Sequence, residues 1–187
     1  MQKKIFGVVL GICVIATCTI LYYRIFSGVG VFVEKELPKF RLLDSKNQTL
    51  DEKSIEVPCL FTFGYTKCNS VCPQNWGVLR DVQRNFESGF SIPIYFITID
   101  VESDTKERLA LFEQNFNPGF FALRGNGTNT KELAKEFGEA EPSLQETEII
   151  HNGFIYWISR ERKIKRIFFP NSITGKQLSV EIKKLSE

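Results

Sequence analysis

The chain has a single histidine in 187 residues, and that scarcity limits its chemistry before any motif is considered. A structural zinc site normally takes four protein ligands, and no second histidine exists to complete one around a pair of thiols. Charge of one sign is also lacking: the net charge is +2 and the basic residues are scattered, so there is no electrostatic footprint for a nucleic acid. No internal repeat and no low-complexity segment is present, which excludes solenoids and arrays. Charge is missing altogether from Ile5 to Tyr23, a run flanked by Lys3-Lys4 and Arg24.

That uncharged run is long enough to cross a bilayer, which takes about 20 residues. Small residues that would mark a signal-peptidase site are missing, and Ile15-Ala-Thr-Cys18 is a poor lipoprotein box because Thr17 precedes the cysteine. An uncleaved transmembrane anchor over residues 5–23 is therefore expected. Lys3, Lys4 and the amino terminus outweigh Arg24 and Lys35, which puts residues 1–4 in the cytoplasm and the rest of the chain outside. The lack of an Arg- and Ser-rich transit segment before the anchor points to a bacterial cytoplasmic membrane, with the soluble part facing the periplasm or cell exterior. Ser27-Gly-Val-Gly30 and Glu34-Lys-Glu36 read as a tether over residues 24–37, leaving residues 38–187 for one compact domain.

Within that domain, Phe40–Asp44 alternates like a strand and Ser45–Gln48 reads as a turn. Apolar runs at Val57–Phe63 and Ile92–Ile99 have the length and composition of buried central strands, and Phe120–Leu123 is a shorter candidate. Helical spacing of Trp76, Leu79, Val82 and Phe86 follows Pro73, giving a helix to about Glu87. Asp104-Thr-Lys-Glu107 has the pattern of a capping box with Asp104 as the cap. A further helix is expected from Thr130 to Phe137, stopped by Gly138. Phe154–Ile158 and Ile164–Phe169 suggest a hairpin through Ser159–Arg162, and Ile173–Leu185 a terminal amphipathic helix. This order predicts an α/β domain with a thioredoxin-like mixed sheet flanked by helices. Ligands of such sheets bind beyond the carboxyl ends of the strands, an edge that Cys68 and Asp100 should share.

The chemistry lies in the cysteines. Cys13 and Cys18 fall in the anchor, and Cys59 sits within Val57–Phe61 as a buried strand residue. Cys68 and Cys72 stand apart, in Phe61-Thr-Phe-Gly-Tyr-Thr-Lys-Cys-Asn-Ser-Val-Cys-Pro73, where a strand hands over to a helix. A helix N-terminus lowers thiol pKa values, so thiolates are expected there. Their spacing lets both sulfurs face one side, near enough for a disulfide or a shared metal. His151 precedes the strand beginning at Phe154, on the loop that faces the active-site thiols in a thioredoxin-type fold, so it is a candidate ligand or acid–base group. Two thiolates and an imidazole form a soft three-donor set that favours Cu(I), with Cu(II) possible if oxygen or solvent donors are added. A structural disulfide, with His151 on the surface, is the bland alternative; so short a loop gains little from one.

Phe63-Gly-Tyr-Thr-Lys-Cys-Asn-Ser-Val-Cys-Pro73 resembles the signature of the Sco/SenC family. The similarity continues at Ile97-Thr-Ile-Asp100, Asp104-Thr105, Thr130–Gly138 and His151 followed by Ile155-Tyr156. It implies a membrane-anchored thioredoxin-fold copper chaperone, with Cys68, Cys72 and His151 as the metal ligands. The implied partner is the copper-bearing subunit of cytochrome c oxidase, with another copper chaperone or a thiol reductant upstream and no nucleic acid. This chain departs from the family pattern at Asn69-Ser70, where Pro-Asp is frequent, at Val101, where proline follows the aspartate, and at Ile150, where aspartate precedes the histidine. Loss of that aspartate removes a partner that could orient His151, and Glu148 is the nearby substitute. An alternative from another class is a thiol–disulfide oxidoreductase that reduces the oxidase's copper-ligand cysteines, with Cys68 and Cys72 catalytic; a thiol peroxidase or redox sensor is a third. Against a general oxidoreductase stand the three-residue spacing of the cysteines and the lack of a proline next to Phe154.

Overall fold

The computed structural model describes residues 29–68, 72–86, 91–139, 143–145 and 148–186, together with residues 11 and 13–17. The expected anchor therefore lies mostly outside the described residues; 11 and 13–17 are helical, and among the described residues no helix is long and apolar enough to cross a membrane.

The two apolar runs form the centre. Strands β4 (Cys59–Gly64) and β5 (Ile94–Thr98) are buried at every position, as strands covered on both faces must be. They pair in parallel, and β5 pairs in parallel with β6 (Phe120–Leu123). On the other side β4 pairs antiparallel with β9 (Ile155–Ile158), which forms the expected hairpin with β10 (Lys163–Phe168). Strand β1 (Val31–Glu36) closes the far edge, giving a six-stranded mixed sheet in the order β1-β10-β9-β4-β5-β6. Strand β1 falls inside the stretch expected as a tether; its exposed, charged alternation hid a strand that is held by pairing with β10 rather than by burial. Two small hairpins complete the strands: β2 (Arg41–Leu43) with β3 (Thr49–Asp51), and β7 (Ser143–Gln145) with β8 (Glu148–Ile150).

Helix α1 (Cys72–Asn85) and helix α2 (Lys106–Glu113) cover one face, where Trp76 and Phe112 pack on Phe96. Helix α3 (Gly127–Glu136) covers the other, its capping residue Phe137 packing on Phe61 and Phe63. The terminal helix α4 (Gly175–Ser186) lies against α1, so closely at Gly175 that a Cβ there would meet the Cβ of Asp81 at 2.3 Å.

The capping expectation needs correction. Thr105, not Asp104, caps α2, its side chain accepting from the Arg108 N–H. Asp104 is fully buried and turned inward, because three donors inside the domain compete for its carboxylate. Helix α3 starts three residues earlier than Thr130, with Asn126 as its cap. Its end is as expected: Gly138 has φ 80°, the Gly138 N–H donates to Lys135 O and the Glu139 N–H to Ala134 O, the two bonds of a Schellman motif.

Candidate metal centre

Strand β4 ends at Gly64, and the chain turns through Tyr65 to Cys68, whose N–H donates to Tyr65 O at 3.1 Å. Cys72 opens α1. Its sulfur sits directly over the end of β4, where an added Cβ on Gly64 would lie 2.8 Å from Cys72 Sγ. Glycine is needed here for close approach of sulfur to backbone.

His151 arrives from the opposite side, in the loop ahead of β9. Its Nε2 lies 3.4 Å from Cys72 Sγ and 3.7 Å from Cys68 Sγ. The three donor atoms all lie within 4.8 Å of one another, and all three residues are buried. The structure therefore brings together the three residues singled out in the sequence, in an arrangement that could hold a metal ion. Tyr65 stacks its ring edge-on to the imidazole, with centroids 5.9 Å apart, and its hydroxyl accepts from the Ile149 N–H at 3.4 Å. His151 Nδ1 is buried with no hydrogen-bond partner among the described residues. The side chain of Glu148, expected as an orienting substitute, lies outside those described.

Electrostatics at Cys72 run against the expectation of a thiolate. A hydrogen bond with Cys68 is the largest influence and burial the next; together they push the Cys72 thiol far above its ordinary range, and the Tyr65 backbone offsets only part of this. Proximity of a second sulfur in a dry site outweighs the helix N-terminus. The metal-free site therefore keeps Cys72 as a thiol. Cys59, also raised by burial, faces the core as expected of a strand residue.

Two buried carboxylates brace the site, and neither role was foreseen. Asp104 accepts from the Thr66 N–H at 2.9 Å, the Thr66 hydroxyl at 2.5 Å and the Thr98 hydroxyl at 2.6 Å, tying the thiol loop to the end of β5. Asp100 lies at this edge as expected, just past the end of β5 beside the end of β4, and its carboxylate accepts from the Ser103 N–H of its own turn. Glu139, 4% exposed, accepts from four donors just after His151. Asn75, one turn into α1, donates to Gly153 O at 2.5 Å and joins the two halves of the site.

The sequence matches the SCO1/SenC family over residues 32–187, from the first paired strand to the C-terminus. The chain belongs to the SCO1/SenC family. An SCO2-like protein of Rickettsia prowazekii is 26% identical over 138 residues, covering 70% of this chain and 67% of the relative. Protein sco1 of Schizosaccharomyces pombe is 28% identical over 123 residues, covering 60% of this chain but only 46% of that protein. Among solved structures, yeast Sco1 with copper bound superposes with a TM-score of 0.71 at 19% identity, covering 80% of this chain and 87% of that one. A SCO1/SenC family lipoprotein from Bacillus anthracis gives 0.73 at 19% identity, covering 83% and 98%. These likenesses place the mixed α/β domain in the thioredoxin-like Sco fold.

Proposed function

We propose that this chain carries copper as cargo for the assembly of cytochrome c oxidase, holding the ion on Cys68, Cys72 and His151. The observation that carries this reading is the convergence of two buried sulfurs and one imidazole nitrogen within 4.8 Å. Soft thiolates select Cu(I) among available metals, and Cu(I) tolerates three ligands; Cu(II) would add an oxygen or solvent donor. Related structures from yeast and Arabidopsis thaliana are described with copper bound, and a structurally similar Sco protein is described as belonging to a family of oxidase assembly proteins. A three-donor site leaves a position open to an incoming thiolate on the oxidase's copper-bearing subunit, so the ion can pass by ligand exchange. Loading comes from another copper chaperone by the same exchange in reverse.

The same reading includes the anchor at residues 5–23, with residues 1–4 in the cytoplasm and the folded domain on the outer face of a bacterial membrane. Anchoring keeps the donor near a membrane-embedded acceptor.

The test is copper competition on the reduced full chain in detergent, beside Cys68→Ala, Cys72→Ala and His151→Ala. One tightly held copper in the parent is expected, with affinity falling about tenfold or more in each variant. Parental affinity in His151→Ala would overturn the ligand assignment.

One observation favours a second reading. The sulfurs of Cys68 and Cys72, both free thiols, lie within 4.8 Å of one another, so a modest side-chain movement would join them in a disulfide. In a thiol–disulfide oxidoreductase Cys68, the less deeply buried of the two at 5% exposed, would attack and the fully buried Cys72 would resolve. His151→Ala separates the readings, since it spares disulfide exchange while weakening copper.

A further inference from the structure

We propose that Glu139 is the positioning residue of His151, acting as the buried anion of a backbone nest that locks the chain immediately after the imidazole. This rests on His151 being a copper ligand, as proposed above.

The nest is formed by three successive backbone groups. Glu139 Oε2 accepts from the N–H groups of Asn152 at 2.9 Å and Gly153 at 3.1 Å, and Oε1 accepts from the Phe154 N–H at 3.1 Å. The Tyr156 hydroxyl donates to Oε1 at 2.8 Å and completes the set. Consecutive N–H groups converge on one anion where a left-handed residue or a turn brings them to one side of the backbone. Gly153, with φ 65°, supplies the left-handed residue. The carboxylate is itself held in place, because the Schellman bonds at Gly138 and Glu139 fix the backbone from which it projects.

On the metal-facing side the imidazole meets the two sulfurs, with Nε2 3.4 Å from Cys72 Sγ and 3.7 Å from Cys68 Sγ; the far side of the ring has no such contact among the described residues. A metal-binding histidine usually donates its second ring nitrogen to a carboxylate or carbonyl. Here Nδ1 has no such partner among the described residues. The ring direction then follows from the two sulfurs, from the backbone on which the ring stands and from the Tyr65 ring. Glu139 anchors the three residues that follow the ring, and Asn75 ties the same segment to the helix bearing Cys72. A carboxylate is required rather than an amide: glutamine would offer one acceptor oxygen and turn its own N–H groups toward a donor.

The experiment uses the reduced full chain in detergent, with histidine labelled by nitrogen-15. His151 is the sole histidine, so every ring signal belongs to it. In the metal-free parent we expect a nuclear Overhauser contact between the His151 and Tyr65 rings, and slow exchange of the amides of residues 152–154. Glu139→Gln should abolish the ring contact and speed those three amides about tenfold or more, while residues 155–158 stay protected. With Cu(II) as probe, the imidazole nitrogen coupling should be lost in Glu139→Gln while the thiolate charge-transfer band persists, as in His151→Ala. Gly153→Ala, which keeps the carboxylate but opposes the left-handed conformation, should give the same pattern and decides the matter if Glu139→Gln does not fold. A retained ring contact and parental nitrogen coupling in the folded variant would overturn the proposal. If the parent shows no copper signal, the copper reading fails and the metal-free ring contact still decides the role of Glu139.

Discussion

A Cβ added at Gly64 would lie 2.8 Å from Cys72 Sγ and 3.3 Å from Phe96 Cε2, and both of those side chains are fully buried. Gly64→Ala must therefore move a sulfur or an aromatic ring, and a loss of about 1–3 kcal/mol is expected in urea unfolding of the metal-free protein. Unchanged stability would mean that α1 yields outward. The sulfur also sets a pH dependence. The Cys68 hydrogen bond and burial raise the Cys72 pKa, so the thiol is protonated at neutral pH, whereas a metal takes the thiolate. Each thiol proton displaced on loading makes apparent affinity rise about tenfold per pH unit. Chelator competition should accordingly show tighter copper at pH 8 than at pH 6, and a flat profile would place a thiolate in the metal-free site. For folding, a raised acid favours the folded state while it stays protonated. This stability is complete below the ordinary thiol range, about pH 8.5, and is lost as pH rises through and beyond it. Cys59 acts in the same direction.

At the scale of elements, adjacent residues at the start of α2 divide two tasks. Thr105 caps the helix, and Asp104 braces the thiol loop. Thr105→Ala should cost about 1 kcal/mol, the usual value of an N-cap. Asp104→Ala strands the donors of Thr66 and Thr98 and should cost about 3 kcal/mol while weakening copper binding as well. Thermal unfolding of the two variants checks this order; the reverse order would restore Asp104 as the cap. Helix α4 depends on a different contact. Gly175 meets Asp81 and the carbonyl of Val78 with no room for a side chain, so Gly175→Ala should separate α4 from α1 and lower stability without touching the site.

For the whole molecule, topology fixes where the site lies relative to the chain's entry. Strands β4 and β10 run toward the sheet edge that carries the thiol loop, and β1 and β9 run away from it. The chain therefore enters β1 at the donor-bearing edge, where Val31 pairs with Ile167 and a Cβ on Gly30 would meet Ile167 O and the Phe168 ring at the end of β10. If residues 5–23 are the anchor proposed above, the expectation is that the donor-bearing edge lies toward the membrane rather than the bulk solvent. Spin-labelled lipid should broaden the amide signals of residues 65–67 more than those of residues 160–163, in the turn at the opposite edge. The reverse pattern would mean that the domain hangs with its donors away from the bilayer.

The sequence by itself determined the central strands, because β4 and β5 are continuous apolar runs that only burial on both faces can satisfy. It determined α1 through helical spacing behind Pro73, and the end of α3 through Gly138. It also exposed the three donors, since two cysteines at a strand–helix junction and a sole histidine before a strand are unusual enough to stand out. Strand β1 was hidden because its residues alternate around charge and are secured by a partner more than 120 positions away. The protonation of Cys72 was decided by tertiary structure, because it depends on the distance to a second sulfur and on the water excluded around both. The roles of Asp104 and Glu139 were decided there too. Nothing in a local pattern tells a helix cap from a carboxylate that turns inward to collect donors, because those donors come from segments that only folding brings together.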